Sequence, residues 1–134
     1  KVDVRCVWSE SGKSVEFNET RAPELSTIYR FSNCDNHSVS RKDGERYSVE
    51  TVTLLDLLRQ NGAPQAIDYL SIDTEGSEFD ILFNFDFNEF DIRIITCEHN
   101  YTSSREKIFS LLSENGYKRK YEEISQFDDW YVKC

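Results

Sequence analysis

The stretch Ile67-Asp68-Tyr69-Leu70-Ser71-Ile72-Asp73-Thr74-Glu75-Gly76-Ser77-Glu78 decides the fold. Ile67 to Ile72 is a compact apolar run of strand length, and it ends abruptly in acids. Behind it, Phe79, Ile81, Leu82 and Phe83 predict a helix packed on a sheet. The rhythm then repeats. Ile92 to Cys97 is nearly continuously apolar, which predicts a strand covered on both faces. Ser103-Ser104-Arg105-Glu106 is a capping-box pattern, opening a helix that carries Ile108, Phe109, Leu111 and Leu112 on one face and ends before Gly116. Tyr117 to Ile124 and Trp130 to Val132 read as two strands joined by a tight polar turn. Strands alternating with crossover helices, then a terminal hairpin, predict an α/β fold with a mixed sheet.

Upstream the signals are shorter. Val2 to Trp8 and Ser14 to Phe17 flank Ser11-Gly12-Lys13, which reads as a hairpin around a Gly turn. Residues 18 to 46 are polar and turn-rich, so they predict an excursion over the surface. Tyr47 to Val52 alternates as a strand, and Thr53-Leu54-Leu55-Asp56 opens a short helix closed by Gly62 and Pro64.

Composition narrows the function classes. With 134 residues and 38% hydrophobic content, the chain can bury one modest core and reads as a single domain. The net charge of −9 argues against a nucleic-acid backbone or an anionic membrane as partner, since both would be repelled. No apolar run approaches the roughly 20 residues of a membrane span, and no signal peptide stands at Lys1. The absence of Met and a start inside a strand-like run predict that the natural chain begins upstream. Cys6, Cys34, Cys97 and Cys134 lack metal or redox spacing and read as free thiols. Sequons at Asn18, Asn36 and Asn100 would permit glycosylation, so localisation stays open between the cytoplasm and a secretory compartment.

In an open α/β sheet the ligand crevice lies beyond the carboxyl ends of the strands. Asp73 and Glu75 follow the first apolar strand; Glu98, His99 and Asn100 follow the second. If the strands are neighbours, these groups meet at one sheet edge, where they could position a hydroxyl, take its proton or hold a divalent ion. Asp73 carries most weight, because a carboxylate ending a buried run is costly unless it faces a crevice or a partner. Glu75 and Glu78 could equally cap the following helix. Trp8, Trp130 and Tyr131 read as packing, and His37 as an ordinary loop residue.

Val52-Thr53-Leu54-Leu55-Asp56-Leu57-Leu58, the Ile67 to Glu78 block, and Ile94-Ile95-Thr96-Cys97-Glu98 together resemble the consensus of FkbM-type methyltransferases. In that family a TLDDLL-like helix precedes a strand ending in KIDVEGAE, and the next strand ends in an acid. Arg5 to Phe17 is similar to the family's segment after its third strand. The resemblance covers essentially the whole chain and is weak between residues 18 and 46.

The resemblance implies a Rossmann-like class I methyltransferase sheet with helices on both faces and a C-terminal antiparallel hairpin, with residues 1 to 134 entering from the third strand and the N-terminal strands missing. It implies transfer of a methyl group from S-adenosylmethionine to a small-molecule hydroxyl acceptor, such as a sugar. Asp73 and Glu75 would bind the cofactor, and Asp73, Glu98 and His99 would carry catalysis, with no metal demanded. The glycines Gly12, Gly44, Gly62, Gly76 and Gly116 form no Gly-rich loop, so this segment alone should hold the cofactor poorly. A noncatalytic binding or assembly module built on the same fold is the alternative. Without the family's first strand, Ile67 to Ile72 would present an unpaired edge, to be covered by the chain's own N-terminal hairpin, by dimerisation or by an upstream part of the natural chain, and so apolar a central strand favours the last.

Overall fold

The computed structural model describes Lys1–Cys134 as a mixed α/β structure with two four-stranded sheets and three α-helices. The first sheet holds β1 (Cys6–Val7), β2 (Ser14–Glu19), β3 (Thr27–Ile28) and β4 (Glu45–Val52), in the order β1-β4-β2-β3. The chain continues through α1 (Leu54–Gln60), β5 (Ala66–Ile72), α2 (Glu78–Phe83), β6 (Asp91–Glu98), α3 (Ser104–Glu114), β7 (Tyr117–Lys120) and β8 (Asp128–Lys133). These last four strands form the second sheet, in the order β5-β6-β8-β7. As expected, β5 and β6 are adjacent and parallel, and β7 and β8 form an antiparallel hairpin.

The second sheet is anchored by one continuous core. Ile95, Cys97 and Tyr131 join Ile81 and Leu82 of α2, Ile108 and Leu112 of α3, and Phe85, Phe87 and Phe90 of the connection into β6. Burying side chains of this size contributes roughly 1.5–3 kcal/mol each. The buried Tyr117 hydroxyl donates to the Ile92 carbonyl at 2.8 Å and that of Tyr131 to Asp129 at 3.3 Å, so the phenol groups of this core are satisfied.

Four sequence expectations need correction. Val2 to Trp8 and Ser14 to Phe17 do not form a hairpin: β1 runs parallel to β4 on one side, and β2 runs antiparallel to it on the other. The Gly12 turn, at φ 70°, carries the chain across the end of β4, where the Gly12 N–H meets the Thr51 carbonyl. The polar segment after residue 18 is not a surface excursion throughout, because Asn18, Thr20, Thr27, Ile28, Ser32 and Arg41 are all buried.

The capping box at Ser103 does not form either. Ser103 already has helical backbone angles, whereas an N-cap needs an extended backbone for its hydroxyl to reach forward. Thr53 does have that backbone and accepts from the Asp56 N–H at 3.1 Å, as its pattern predicted. Finally, β6 is not covered on both faces. The cross-strand row Tyr69, Ile94, Val132 lies on an open face, with Tyr69 56% and Ile94 41% exposed, while Ile95 of the opposite row is fully buried. The unpaired outer edge of β5 is likewise not taken up by the N-terminal strands.

This asymmetry predicts unequal costs for two neighbouring isoleucines. Ile95→Ala should lose roughly 2–5 kcal/mol of stability by leaving a cavity. Ile94→Ala should lose less than about 1 kcal/mol. Denaturant unfolding of both variants checks this, and equal losses would show that the Ile94 face is covered.

Candidate functional site

The parallel register that aligns Ile72 with Cys97 releases Asp73 and Glu98 side by side from the carboxyl ends of β5 and β6. β8 runs the other way, and its first residue, Asp128, lies opposite Glu98. Carboxylate oxygens of Asp73, Glu75 and Glu98 all lie within 4.8 Å of one another. They line a cavity of about 290 Å³, together with Asp128, Asn100, His37, Leu25 and Phe127.

The turn after β5 is built to present Glu75. Glu78, at the start of α2, turns back and accepts from the Thr74 N–H at 2.9 Å, the Thr74 hydroxyl at 3.0 Å and the Gly76 N–H at 3.0 Å. That takes up buried backbone donors left free at the strand end. Glu75 sits in the left-handed region at φ 57° and Gly76 at φ 118°. A side chain at Gly76 is excluded, because its Cβ would lie 2.6 Å from the Cys34 sulfur. The Glu75 carbonyl accepts from the Thr27 hydroxyl at 2.9 Å. Its carboxylate accepts from Arg41 Nη2 at 2.6 Å and from Asn100 Nδ2 at 3.4 Å.

Gathering these acids changes their chemistry. Burial pushes the Glu98 carboxyl up to about 9, and the charge of Asp73, then of Glu75 and Glu78, pushes the same way. Burial raises Glu75 to about 7 against the opposing pull of Arg41. Asp128 is also raised, chiefly by burial and then by Asp73. Like charges this close in a partly desolvated site cannot all ionise cheaply, so the edge holds a proton near neutrality.

His99 does not join them. Its buried ring turns the other way: Nδ1 accepts from the Tyr101 N–H at 3.0 Å, and Nε2 points toward Asp129 Oδ1 at 3.7 Å without a hydrogen bond. Asp129 is already held by Arg105 at 2.9 and 2.7 Å and by Arg119 at 3.2 Å. Burial lowers the His99 pKa, opposed by the nearby Asp129 charge. The ligand set Asp73, Glu75, Glu98 and His99 weighed from the sequence therefore does not assemble as four.

Asp73, Glu75 and Glu98 meet as the strand-end argument expects, while the contribution of Arg41, Asp128 and His37 was missed. Asp128 carried a usable signal, since an acid starting the last strand of an antiparallel hairpin beside β6 must fall near the end of β6. Arg41 and His37 lie in a segment without periodicity, and nothing local marks them. Asn18 belongs to the same segment; its amide donates to Ser32 and to the Arg41 carbonyl, so it cannot carry a glycan in the folded protein.

The raised Glu98 has a direct consequence for stability. Its folded value lies above the ordinary 4.5, so the folded state binds the proton more tightly. The Glu98 contribution to stability is therefore full below about 4.5 and is lost as the pH climbs toward about 9. Glu98→Gln should melt at a higher temperature than the wild type at pH 8, and the difference should vanish toward pH 4. Thermal unfolding across that range checks it, and a lower melting temperature at pH 8 would refute the assignment.

Neither a curated protein nor a solved structure matches the chain. Residues 8–119 match the family model of the methyltransferase FkbM domain. The match takes in β2 through α3 and both strands whose ends carry the acids. The chain therefore belongs to the FkbM methyltransferase family.

Proposed function

We propose that the protein is an S-adenosylmethionine-dependent methyltransferase that methylates a hydroxyl on a sugar or another small molecule. The observation that carries this reading is the meeting of Asp73, Glu75 and Glu98 at the carboxyl edge of β5 and β6, inside the segment that matches the family.

The chemistry of the donor set fits the cofactor. The cavity is lined by carboxylates, and the one guanidinium bonded to Glu75, that of Arg41, is also committed to Asp35 and Leu25. Such a wall suits a positive sulfonium, an ammonium group and ribose hydroxyls. Asp73 and Glu75 would hold the cofactor, which supplies an electrophilic methyl carbon for in-line displacement.

Glu98, at the end of the neighbouring strand, serves as the base. A carboxylate removes a hydroxyl proton better when its pKa is raised, provided that it is ionised when the acceptor arrives. Asp73, beside Glu98, orients the same hydroxyl. His99 stands behind this wall and acts through the backbone, by holding the Tyr101 N–H next to Asn100. Phe127 and Leu25 provide the apolar part of the lining and limit the access of water.

This assignment fixes the sign of the pH dependence. Because Glu98 must lose its proton to act, kcat/KM, which reports the free enzyme, should rise with pH toward about 9. Glu98→Gln should lower kcat by roughly 10²- to 10⁴-fold and abolish the rise. Methyl transfer by the full-length protein, measured with labelled S-adenosylmethionine and a panel of sugars and polyols, checks both. Absence of cofactor binding and of transfer would leave the noncatalytic module as the reading.

A further inference from the structure

We propose that Arg41 is the positioning residue of this site, acting by fixing the Glu75 carboxylate at the sheet edge. Its effect on turnover rests on the methyltransferase reading; its effect on Glu75 does not.

The geometry is that of a bracket set before Glu75 is engaged. Arg41 is fully buried; its Nε donates to the Leu25 carbonyl at 2.8 Å, and Nη1 and Nη2 grip Asp35 at 2.7 and 3.1 Å. Three bonds thus fix the plane of a rigid fork, and the remaining direction of Nη2 meets Glu75 at 2.6 Å. The bond is made to the one acid of the edge that lies on a left-handed backbone. Arg41 therefore does more than tie down its own segment, because its last bond falls on a residue that lines the cavity.

Every other group near Glu75 is a poor substitute. Asp73 and Glu78 from its own turn, Glu98 from the end of β6 and Asp35 from the polar segment are all acids. The Asn100 amide is neutral and 3.4 Å away, and His37 lines the cavity without a bond to Glu75. Without Arg41, Glu75 would take up a proton and lose its direction.

A double-mutant cycle in the full-length protein tests this, using Arg41→Gln, Glu75→Gln and the pair. Arg41→Gln should raise KM for S-adenosylmethionine by roughly 10-fold with a smaller change in kcat. In the Glu75→Gln background the same substitution should change KM by less than about twofold. Equal effects in the two backgrounds would overturn the proposal and leave Arg41 as a brace for its segment. If Arg41→Gln does not fold, Arg41→Lys carries the cycle under the same criterion, since one ammonium cannot serve Asp35 and Glu75 together.

A carbon-13 NMR titration of the Glu75 carboxyl gives a reading that needs no turnover. Its midpoint, about 7 in the wild type, should rise by about one pH unit or more in Arg41→Gln and by less in Arg41→Lys. An unchanged midpoint in both folded variants would overturn the proposal. Absence of methyl transfer by the wild type alongside a shifted midpoint would instead sink the methyltransferase reading and leave this one standing.

Discussion

A single buried guanidinium joins the two halves of the molecule. Arg41 belongs to the segment that wraps the first sheet, and Glu75 to the turn at the end of the second. Burying a cation is expensive unless every donor finds a partner, and breaking such a pair by removing one member costs roughly 3–5 kcal/mol. Here Asp35, Glu75 and the Leu25 carbonyl share the load. The Thr27 hydroxyl on the Glu75 carbonyl and Cys34 against Gly76 bring the same segment onto the same turn. The wall of the cavity is therefore made by sequence-distant chain, and its shape depends on that pair staying intact.

The second constraint is the register of β5 and β6. Parallel neighbours end on the same side of a sheet, and each here ends in an acid, so convergence of charge follows from topology alone. β8 adds Asp128 because its antiparallel register starts where β6 stops. The fold then supplies partial burial, and burial together with mutual repulsion raises Glu98 and Glu75. Perturbed carboxyls facing a cleft are the kind of group that catalytic sites collect, although structural networks perturb them as well.

Strands β4, β5, β6 and β8, the helices at Leu54 and Glu78, and the meeting of the acids were legible because each rests on local signals: apolar runs, a cap and strand-end charge, whereas β3 was not read at all and β7 stops at Lys120, short of the expected Ile124. The direction of the His99 ring was not legible, for a local reason too. Successive strand residues point to opposite faces, so following Glu98 directly in sequence placed the His99 ring on the other side, against Asp129. The N-terminal hairpin was misread because the Gly12 turn looks the same whether the flanking strands pair with each other or straddle a third. Residues 18 to 46 defeated the reading most fully. Their fixed points, Asn18, Ser32 and Arg41, are polar, and a buried polar residue is recognisable only once its distant partners are known.

The site's electrostatics also separate what stabilises the fold from what suits a ligand. Three of the four cavity acids, Glu75, Glu98 and Asp128, have carboxyls raised above their ordinary range, so their ionisation works against the folded state. The Asp129 network on the other side of β6 shows the opposite arrangement. There Arg105 and Arg119 surround one buried acid, and its pKa is lowered despite its burial, with the Arg105 hydrogen bonds as the largest favourable cause. The two sites about this strand end thus differ in their balance of charge: four acids share the single Arg41 in one, and two arginines surround a single acid in the other. At Asp129 charge is met locally, with Arg105 tying α3 and Arg119 tying β7 to β8. The Asp73 cluster is left short of positive charge, with Arg41 as its one partial remedy, and a positively charged group entering the cavity would relieve the repulsion that the fold leaves uncompensated.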